Sequence, residues 1–433
     1  MLGPLILPSC SNWKGANDTL NIGHIGIGSR GWFETKNYFL PLEETRSVAV
    51  CDVRKKRIED ASDYIEDYYK HEKGVKNFKC SAYEHFEELI ERSDIDAVHI
   101  VTGDYWHLQI AIKAMRAGKH VYLAKPLGLN YPLMKMLEEE QEKTGLVFHY
   151  GTQQRSFDHI ISGINMIHEG RIGEIERIVV WSPDKSGEQV KGNPGEPIPE
   201  GINYDKWLGP APEKPYCEAR CTTRATWFIY DYSIGWIAGW GAHPLDIAVM
   251  GAKNNMKRAY SLSGEGEFWP RGGLYDTLIS WDTKIKYDNG FKIHYLSSDL
   301  ARETIEKHRD YDATDGTTFI GEKGWISLTR WTARASDPRM DKILNDFPKD
   351  EKGRMKSENH IHGANFAKVI KGEIPQFDPL DDAIISDTIS HMGDIAIRSA
   401  KEVKWDPVTG EITNHPELNM LYNREMRPPY DKI

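Results

Sequence analysis

The feature that most constrains the fold is a glycine motif close to the start of the chain. An apolar run leads into Gly26-x-Gly28-x-x-Gly31. Gly26 permits a tight turn, Gly28 lets a pyrophosphate approach the backbone, and Gly31 lets the following helix pack closely on the strand. The start of that helix offers free N–H groups and the positive end of its dipole to phosphates. The motif therefore predicts a strand, turn and helix that bind a dinucleotide, with Ser29 and Arg30 among the contacts.

An acidic residue follows at the spacing that a bound ribose requires. Asp52 comes directly after the apolar segment 47–51 and lies 21 residues after Gly31 (52 − 31). A ribose-binding carboxylate is expected about 20 residues after the motif. Such a carboxylate hydrogen-bonds the ribose hydroxyls and repels a 2′-phosphate, so the sequence favours NAD over NADP. The basic neighbour Arg54 is the one feature here that could accommodate NADP instead.

Composition narrows the class of partner. The chain has 433 residues, which is enough for two domains with cores of their own. A net charge of −10 without a basic tract argues against nucleic acids and anionic membranes as partners. No apolar run is long enough to span a bilayer. The 13 Trp and 20 Tyr provide rings that can line a sugar-binding cleft, although most of them are expected in the core.

The cysteines do not predict a metal site. There are five of them, and no CxxC pair occurs. Cys217 and Cys221 share one loop, but three intervening residues and the lack of a histidine partner are weak evidence for a disulfide or a metal site. We therefore expect no metal.

The first 20 residues are expected to be a leader. Residues 1–10 are apolar and residues 11–19 are polar. This pattern resembles the end of an export signal whose basic start is missing, and it predicts a periplasmic protein. A disordered leader on a cytoplasmic protein is the alternative.

Two patterns of secondary structure divide the rest of the chain. Strands and helices alternate over 21–150, which predicts an α/β domain with a parallel sheet. From 151 to 433 the pattern predicts an α+β domain with a mostly antiparallel sheet, C-terminal helices and a polar tail. A loop rich in Pro and Gly is expected over 182–230. The pattern predicts, among other elements, a strand over 120–123 and helices over 108–117, 131–144 and 381–403.

Four motifs in this order carry a resemblance to a known family: Gly26-x-Gly28-x-x-Gly31, Val101-Thr-Gly-Asp-Tyr-Trp-His107, Gly118-Lys-His-Val-Tyr-Leu-Ala-Lys-Pro126 and Trp240-Gly-Ala-His-Pro-Leu-Asp246. Over nearly its whole length the chain resembles the Gfo/Idh/MocA oxidoreductases, in particular a bacterial branch that acts on sugars and glycosides. The resemblance implies a Rossmann domain, an open and mostly antiparallel second sheet, and an active site between them. It also implies NAD as cofactor, a carbohydrate substrate and a homo-oligomer formed through the open sheet face.

Lys125 and His243 are the first catalytic candidates. Lys125 follows an apolar strand and precedes a proline, so it leaves the sheet at the carboxyl ends of the strands, where such sheets bind ligands. A partly desolvated lysine there has a lowered pKa and can move a proton, and the resemblance implies that it contacts both the cofactor and the sugar. His243 can hold or pass the alcohol proton near neutral pH, or be a buried structural histidine.

Two acids of the family pattern are missing around these residues. Ala124 stands where the family has a glutamate before the lysine, and Gly239 stands where it has an aspartate four residues before the histidine. Asp231 or Tyr232 are the candidates to replace them, so that Lys125 and Tyr232 form the acid/base pair.

The remaining site predictions concern binding. Thr102 and His107 flank a loop that is expected to contact the cofactor. Four further residues are expected to contact the substrate: Gln153, Arg155, Trp240 and Asp246. For Arg155 the alternative is a structural ion pair, and for Asp246 it is a plain carboxylate at the start of a helix.

Three functions remain open. The first is an NAD-dependent dehydrogenase that oxidises a sugar or glycoside, at C3, to a keto-sugar. The second is a redox-neutral NAD-dependent glycosidase, which oxidises, eliminates, hydrates and reduces in one site and needs a further base for the C2 proton. The third is a non-catalytic sensor that binds NAD and a sugar. The missing acids favour the sensor, whereas the retained Lys125 and His243 argue against it.

Overall fold

The computed structural model describes residues 19–185, 187–309, 314–356 and 359–433. Almost all of the expected leader over 1–20 lies outside the described residues. No helix among the described residues is long and apolar enough to cross a membrane.

The strands, numbered along the chain, are β1 (Leu20–Ile25), β2 (Thr45–Cys51), β3 (Ser81–Tyr83), β4 (Ala97–Ile100), β5 (His120–Leu123), β6 (Phe148–Tyr150), β7 (Ile175–Ser182), β8 (Tyr260–Phe268), β9 (Leu278–Tyr287), β10 (Lys292–Ser297), β11 (Gly316–Gly321), β12 (Gly324–Leu328), β13 (Ala333–Ala335), β14 (Val403–Asp406) and β15 (Glu411–Ile412).

The α-helices are α1 (Ser29–Glu34), α2 (Lys55–His71), α3 (Phe86–Ile90), α4 (Asp104–Arg116), α5 (Tyr131–Thr144), α6 (Asp158–His168), α7 (Tyr204–Leu208), α8 (Thr223–Phe228), α9 (Trp236–Gly239), α10 (Ala242–Met256), α11 (Ser298–Glu306), α12 (Pro338–Leu344), α13 (Asn359–Ile370) and α14 (Leu380–Ser399). A π-helical turn (Thr35–Phe39) follows α1, and 3₁₀ turns cover Gln153–Ser156, Glu218–Cys221 and Pro416–Leu421.

The first sheet is parallel and has the strand order β3-β2-β1-β4-β5-β6. Its central strand β4 is buried along its whole length, as expected for a sheet with helices on both faces. The strand order reverses between β1 and β4, and this opens a crevice at the carboxyl ends of the strands. The glycine motif begins at that crevice.

The second sheet has the order β13-β12-β11-β7-β10-β9-β8-β14-β15. The pair β7 and β10 is parallel, whereas the other neighbours run antiparallel. Helices α10 and α14 pack against each other and against this sheet. The predicted fold class is therefore confirmed: a parallel Rossmann-type sheet is followed by an α+β part with a mostly antiparallel sheet.

Two helix boundaries differ from the prediction. Helix α4 begins at Asp104 rather than at 108, because Gly103 provides an extended N-cap residue and the aromatic residues that follow enter the first turn. Helix α14 ends at Ser399, where Ala400 has a φ of +52° and stops the helix, and the chain then enters β14. The segment expected to be helical up to 403 thus ends in a strand.

The segment over 182–230 is less irregular than predicted. It contains α7, a 3₁₀ turn and α8, each too short for a helical period to show in the sequence. The side chain of Asn203 caps α7 and that of Thr222 caps α8. Ser29 at the glycine turn lies 3.4 Å from Thr223 (Oγ to Oγ1), so α8 stands over the start of α1.

A buried ion cluster joins the two parts of the molecule just after β6. Arg155 donates from Nε to Asp246 Oδ2 (2.6 Å) and from Nη2 to Asp246 Oδ1 (2.5 Å) and Asp382 Oδ2 (2.9 Å). Its Nη1 donates to the carbonyl oxygen of Phe377 (2.6 Å). Since Asp246 lies on α10 and Asp382 on α14, one guanidinium connects the end of the first sheet to both helices.

We expect Arg155→Met to lower the free energy of unfolding by about 3–5 kcal/mol, because it leaves the buried carboxylate of Asp246 without its cation, while Asp382 keeps Lys253. Urea denaturation of the protein measures this loss. Arg171→Met is the matched control: Arg171 pairs with Glu169 at the surface, and its loss should change stability by at most about 1 kcal/mol. Equal effects of the two substitutions would contradict this role of the cluster.

Candidate active site

A cleft of about 390 Å³ lies at the carboxyl edge of the first sheet, between it and the second part of the chain. The predicted site residues that line the cleft are Gly26, Gly28, Ser29, Arg30, Gly31, Asp52, Thr102, His107, Lys125, Trp240 and His243.

Two of the three glycines in the turn leave no room for a side chain. Gly26 has a φ of +91°, and a Cβ there would lie 2.4 Å from the carbonyl oxygen of Val101. A Cβ on Gly31 would lie 1.9 Å from the carbonyl oxygen of Gly26. By contrast, a Cβ on Gly28 would meet only the Arg57 guanidinium, at 3.6 Å. The turn therefore leaves its middle glycine open to the cleft, which fits a pyrophosphate against the backbone.

Asp52 lies beside this turn at the end of β2. Its carboxylate accepts hydrogen bonds from the backbone N–H groups of Ile27 (2.8 Å) and Arg54 (2.9 Å). The Arg57 guanidinium is 3.5 Å away, whereas the Arg54 guanidinium donates to the carbonyl oxygen of Cys221 (3.3 Å). Arg57, not Arg54, is therefore the arginine next to the expected ribose position. These residues fit NAD, which needs a fixed carboxylate at this point.

Lys125 leaves β5 and crosses the cleft towards the second part of the chain. Its Nζ donates a hydrogen bond to the carbonyl oxygen of Gly239 and lies 5.6 Å from the ring centroid of Trp227. Burial lowers the pKa of Lys125 to about 8, and Arg30 adds to this lowering while Asp104 opposes it. A lysine in this state can exchange a proton near neutral pH.

Asp104 also lines the cleft, although the sequence pattern predicts no role for it in the site. It lies in the first turn of α4 and is buried, and its Oδ2 has no hydrogen-bond partner among the described residues. Burial raises the pKa of Asp104 to about 7, while a hydrogen bond from Ser233 and the charge of Lys125 lower it. The available signal was an acid directly after Gly103, at the carboxyl end of a buried strand.

His243 is buried at the start of α10 and lines the cleft. Its Nδ1 has no hydrogen-bond partner among the residues that the structure describes. Burial holds the pKa of His243 well below its usual value, and the positive charges of Arg330 and Lys125 add to this. The imidazole is therefore neutral, with one buried nitrogen available for a ligand.

The His107 ring contacts the backbone of two loops that line the cleft. Its Nδ1 lies 2.8 Å from the carbonyl oxygen of Pro126, and its Nε2 lies 3.3 Å from that of Thr102. Burial lowers the pKa of His107 to about 4, so the ring is neutral and one nitrogen carries the hydrogen. Because Pro126 follows Lys125, His107 is a positioning residue for the lysine as well as part of the lining.

Tyr232 and Asp231, the candidates to supply the missing acid, are not among the described residues that line the cleft. Tyr232 is fully buried, its hydroxyl accepts a long hydrogen bond from Arg220 (3.4 Å), and burial raises its pKa well above the usual value. Asp231 Oδ2 lies 3.7 Å from Lys214 Nζ. Asp104 lines the cleft instead.

Three of the four expected substrate contacts also lie elsewhere. Arg155 and Asp246 are paired with each other in the buried cluster described above, which matches the structural alternative for Arg155, whereas Asp246 is its buried partner rather than a plain carboxylate at a helix start. Gln153 is buried and donates to Glu34 Oε1 (3.3 Å). Of the four, Trp240 is the one that lines the cleft.

A buried group of His149, His362 and Asp378 brings three potential metal ligands together. His362 already uses both nitrogens, towards the Ser156 hydroxyl (2.8 Å) and the Tyr150 carbonyl oxygen (3.0 Å). His149 Nδ1 lies 3.0 Å from Asp378 Oδ2. Neither nitrogen of His149 nor Asp378 Oδ2 has a hydrogen-bond partner among the described residues, so the group is only partly hydrogen-bonded, and the expectation of no metal stays a prediction.

Asp52→Ala is expected to weaken NAD binding by about tenfold or more, because it removes charged hydrogen bonds to the ribose. It should also raise the affinity for NADP relative to NAD, since Arg57 remains to pair with the 2′-phosphate. Fluorescence titration of the purified protein with each nucleotide measures both effects. The control Asp60→Ala removes an exposed acid of α2 that pairs with Lys56, and it should change neither affinity. Unchanged NAD affinity in Asp52→Ala would remove the ribose role.

Solved structures with the same fold are oxidoreductases. The scyllo-inositol dehydrogenase of Lactobacillus casei, solved with bound NAD(H) and scyllo-inositol, is 18% identical, with a TM-score of 0.59 over 89% of this chain and 99% of that chain. The aldose-aldose oxidoreductase of Caulobacter crescentus, solved with glycerol, is 15% identical, with a TM-score of 0.60 over 89% and 99% of the two chains. At these identities the likeness shows the fold.

Curated relatives match over a shorter stretch. An alpha-N-acetylgalactosaminidase of Shewanella oneidensis is 28% identical over 164 residues, which is 36% of this chain and 34% of that protein. A glycosyl hydrolase family 109 protein of Saccharopolyspora erythraea is 30% identical over 161 residues, 37% of this chain and 34% of that protein. The chain thus spans about a third of the length of these relatives.

Two family models match most of the chain. One describes the oxidoreductase family with an NAD-binding Rossmann fold and covers residues 20–152. The other describes the C-terminal alpha/beta domain of that family and covers residues 180–432. Together with the glycine turn and Asp52, these matches show that the chain belongs to the Gfo/Idh/MocA oxidoreductase family and that its N-terminal part is an NAD-binding Rossmann domain.

Proposed function

We propose that the protein is an NAD-dependent dehydrogenase that oxidises a secondary hydroxyl, at C3, of a sugar or glycoside to give a keto-sugar. The observation that carries this proposal is Lys125, which has a pKa lowered to about 8 and lies in the cleft that begins at the glycine turn. A proton acceptor at this place is what alcohol oxidation requires.

The aromatic part of the cleft lining supports a carbohydrate as substrate. The indoles of Trp227, Trp240 and Trp331 line the cleft and are half-buried, so that part of each ring remains open to it. Indole rings offer flat apolar surface and a polar N–H, which suits the mixed faces of a sugar ring.

Each residue has a definable part in the reaction. NAD, when bound, supplies the acceptor for the hydride that leaves the carbinol carbon. Lys125 Nζ takes the hydroxyl proton, whereas both electrons of the C–H bond leave with the hydride. His243, neutral and with a nitrogen that has no partner among the described residues, hydrogen-bonds the same oxygen, and the charge of Asp104 raises the proton affinity of Lys125.

A redox-neutral glycosidase is the second candidate. The partial likeness to an alpha-N-acetylgalactosaminidase and to a glycosyl hydrolase family 109 protein favours it. It requires the same oxidation step, followed by removal of the C2 proton. Lys125 and Asp104 together would then need to serve two proton transfers.

The periplasmic location and the homo-oligomer belong to the same proposal. The first rests on the sequence of residues 1–20. The second rests on the family resemblance alone.

Incubation with NAD and a panel of methyl and aryl glycosides tests the proposed function. We expect NADH, followed by its absorbance, together with a product two hydrogens lighter by mass spectrometry. Free sugar without NADH would establish the redox-neutral glycosidase instead. Tight NAD binding with neither product over the whole panel would overturn the dehydrogenase in favour of a sensor.

The pH dependence of the oxidation gives a further prediction. Since neutral lysine is the acceptor, kcat/KM should rise with pH through about 8 and then level off. Asp104→Asn removes a negative charge that raises the Lys125 pKa, so the rise should move to lower pH. Lys125→Met should abolish the oxidation, and full activity in this variant would contradict the proton transfer. Asp60→Asn, an exposed acid of α2, is the control and should leave the profile in place.

A further inference from the structure

We propose that the sugar substrate carries a carboxylate, as in a hexuronic acid or a glycuronide, and that Arg330 binds this group. The inference rests on the proposed function and adds the substrate class. Arg330 follows β12 and lines the cleft.

Arg330 is a cation without an anionic partner among the described residues. It makes no hydrogen bond or ion pair with any residue that the structure describes, and its Nε is buried. Its guanidinium carbon lies 5.6 Å from the ring centroid of Trp240 and 5.9 Å from that of Trp331. Two indoles therefore hold the guanidinium in place while its hydrogen-bonding groups remain unused.

Two carboxylates that could neutralise Arg330 are already engaged: Glu34, which lines the cleft, and Asp315, whose charge acts on Arg330. Glu34 accepts from Arg30 Nε (2.6 Å) and lies 2.9 Å from His99 Nε2. Asp315 accepts from the amide of Gln154 (2.8 Å). Burial lowers the pKa of Arg330; Asp315 opposes this lowering and Arg30 adds to it. Burying a charge without a counter-ion costs free energy, and an anionic group on the ligand would offset this cost by pairing with the Arg330 guanidinium.

The position of Arg330 assigns the anion to the substrate rather than to the cofactor. Trp240, against which the guanidinium packs, follows the Gly239 carbonyl that accepts the Lys125 hydrogen bond, and its ring lies 5.9 Å from that of His243. Arg330 thus stands where the reacting sugar would lie. The phosphates are expected at the glycine turn instead.

The chemistry of the side chain selects a carboxylate. A guanidinium presents a planar pair of N–H groups that matches the two oxygens of a carboxylate. A carboxylate attached to a sugar ring can reach Arg330 while the ring lies on the indoles and a ring hydroxyl faces Lys125. A neutral sugar would exclude water from Arg330 and leave the charge unpaired, which costs binding energy.

The first experiment compares wild-type kcat/KM for matched pairs of substrates in the presence of NAD. The methyl glucuronides and galacturonides are each compared with the methyl glucoside or galactoside of the same anomer. We expect the uronides to be oxidised with a kcat/KM higher by at least about tenfold, the effect of a hydrogen-bonded ion pair.

The second experiment asks whether Arg330 causes this preference. In Arg330→Met the ratio of the two kcat/KM values should fall towards one, mainly through a higher KM for the uronide. NAD affinity, measured by fluorescence titration, should not change. The matched control is Arg354→Met, which removes an arginine that pairs with Asp350 at the surface. The guanidinium carbon of Arg354 lies 5.0 Å from the ring centroid of Trp331, so the control removes the same charge close to the same indole. This control should keep the wild-type ratio.

The outcomes separate the inference from the function it rests on. Oxidation of the neutral glycosides in preference to the uronides overturns the inference and leaves the dehydrogenase in place. Oxidation of neither class removes the proposed function itself. Equal losses for both sugars together with weaker NAD binding in Arg330→Met would assign Arg330 to the cofactor. If this variant does not fold, as judged by its thermal transition, the wild-type comparison still decides.

Discussion

The proposed chemistry depends on the burial of one lysine side chain, Lys125, between the two parts of the chain. Lys125 leaves the first sheet and its Nζ reaches the carbonyl oxygen of Gly239 in the second part of the chain. Burial and the charge of Arg30 lower the pKa of Lys125, and the charge of Asp104 opposes this lowering only in part. With Ala124 and Gly239 in place of the two acids of the family pattern, neither position supplies a further carboxylate that would stabilise the charged lysine.

Much of the fold could be predicted because its signals are local. β5 and α5 have the expected bounds of 120–123 and 131–144, since a buried apolar run and a capped, amphipathic helix are both visible in the sequence. The start of α4 was missed because its first turn is aromatic, and this also hid Asp104. The end of α14 depends on one left-handed residue, Ala400, which no pattern marks.

The site was harder to predict than the fold because its contacts join distant parts of the chain. The glycine turn and Asp52 follow from spacing alone, and the structure places both in the cleft. The partner of Arg155 lies 91 residues away on α10, so the sequence could not distinguish a sugar contact from a buried ion pair. The same holds for Arg330 and its two indoles, whose arrangement requires the second sheet to be folded.

The ion cluster around Arg155 has a consequence for how such a protein can diversify. It fixes the first sheet to α10 and α14 with residues that do not belong to the described lining of the cleft. The residues proposed to contact the sugar, Trp240, Trp331 and Arg330, are not members of this cluster. Substitutions at these positions therefore leave its ion pairs in place, so on the proposed function a change of substrate preference does not require a compensating change at Arg155, Asp246 or Asp382.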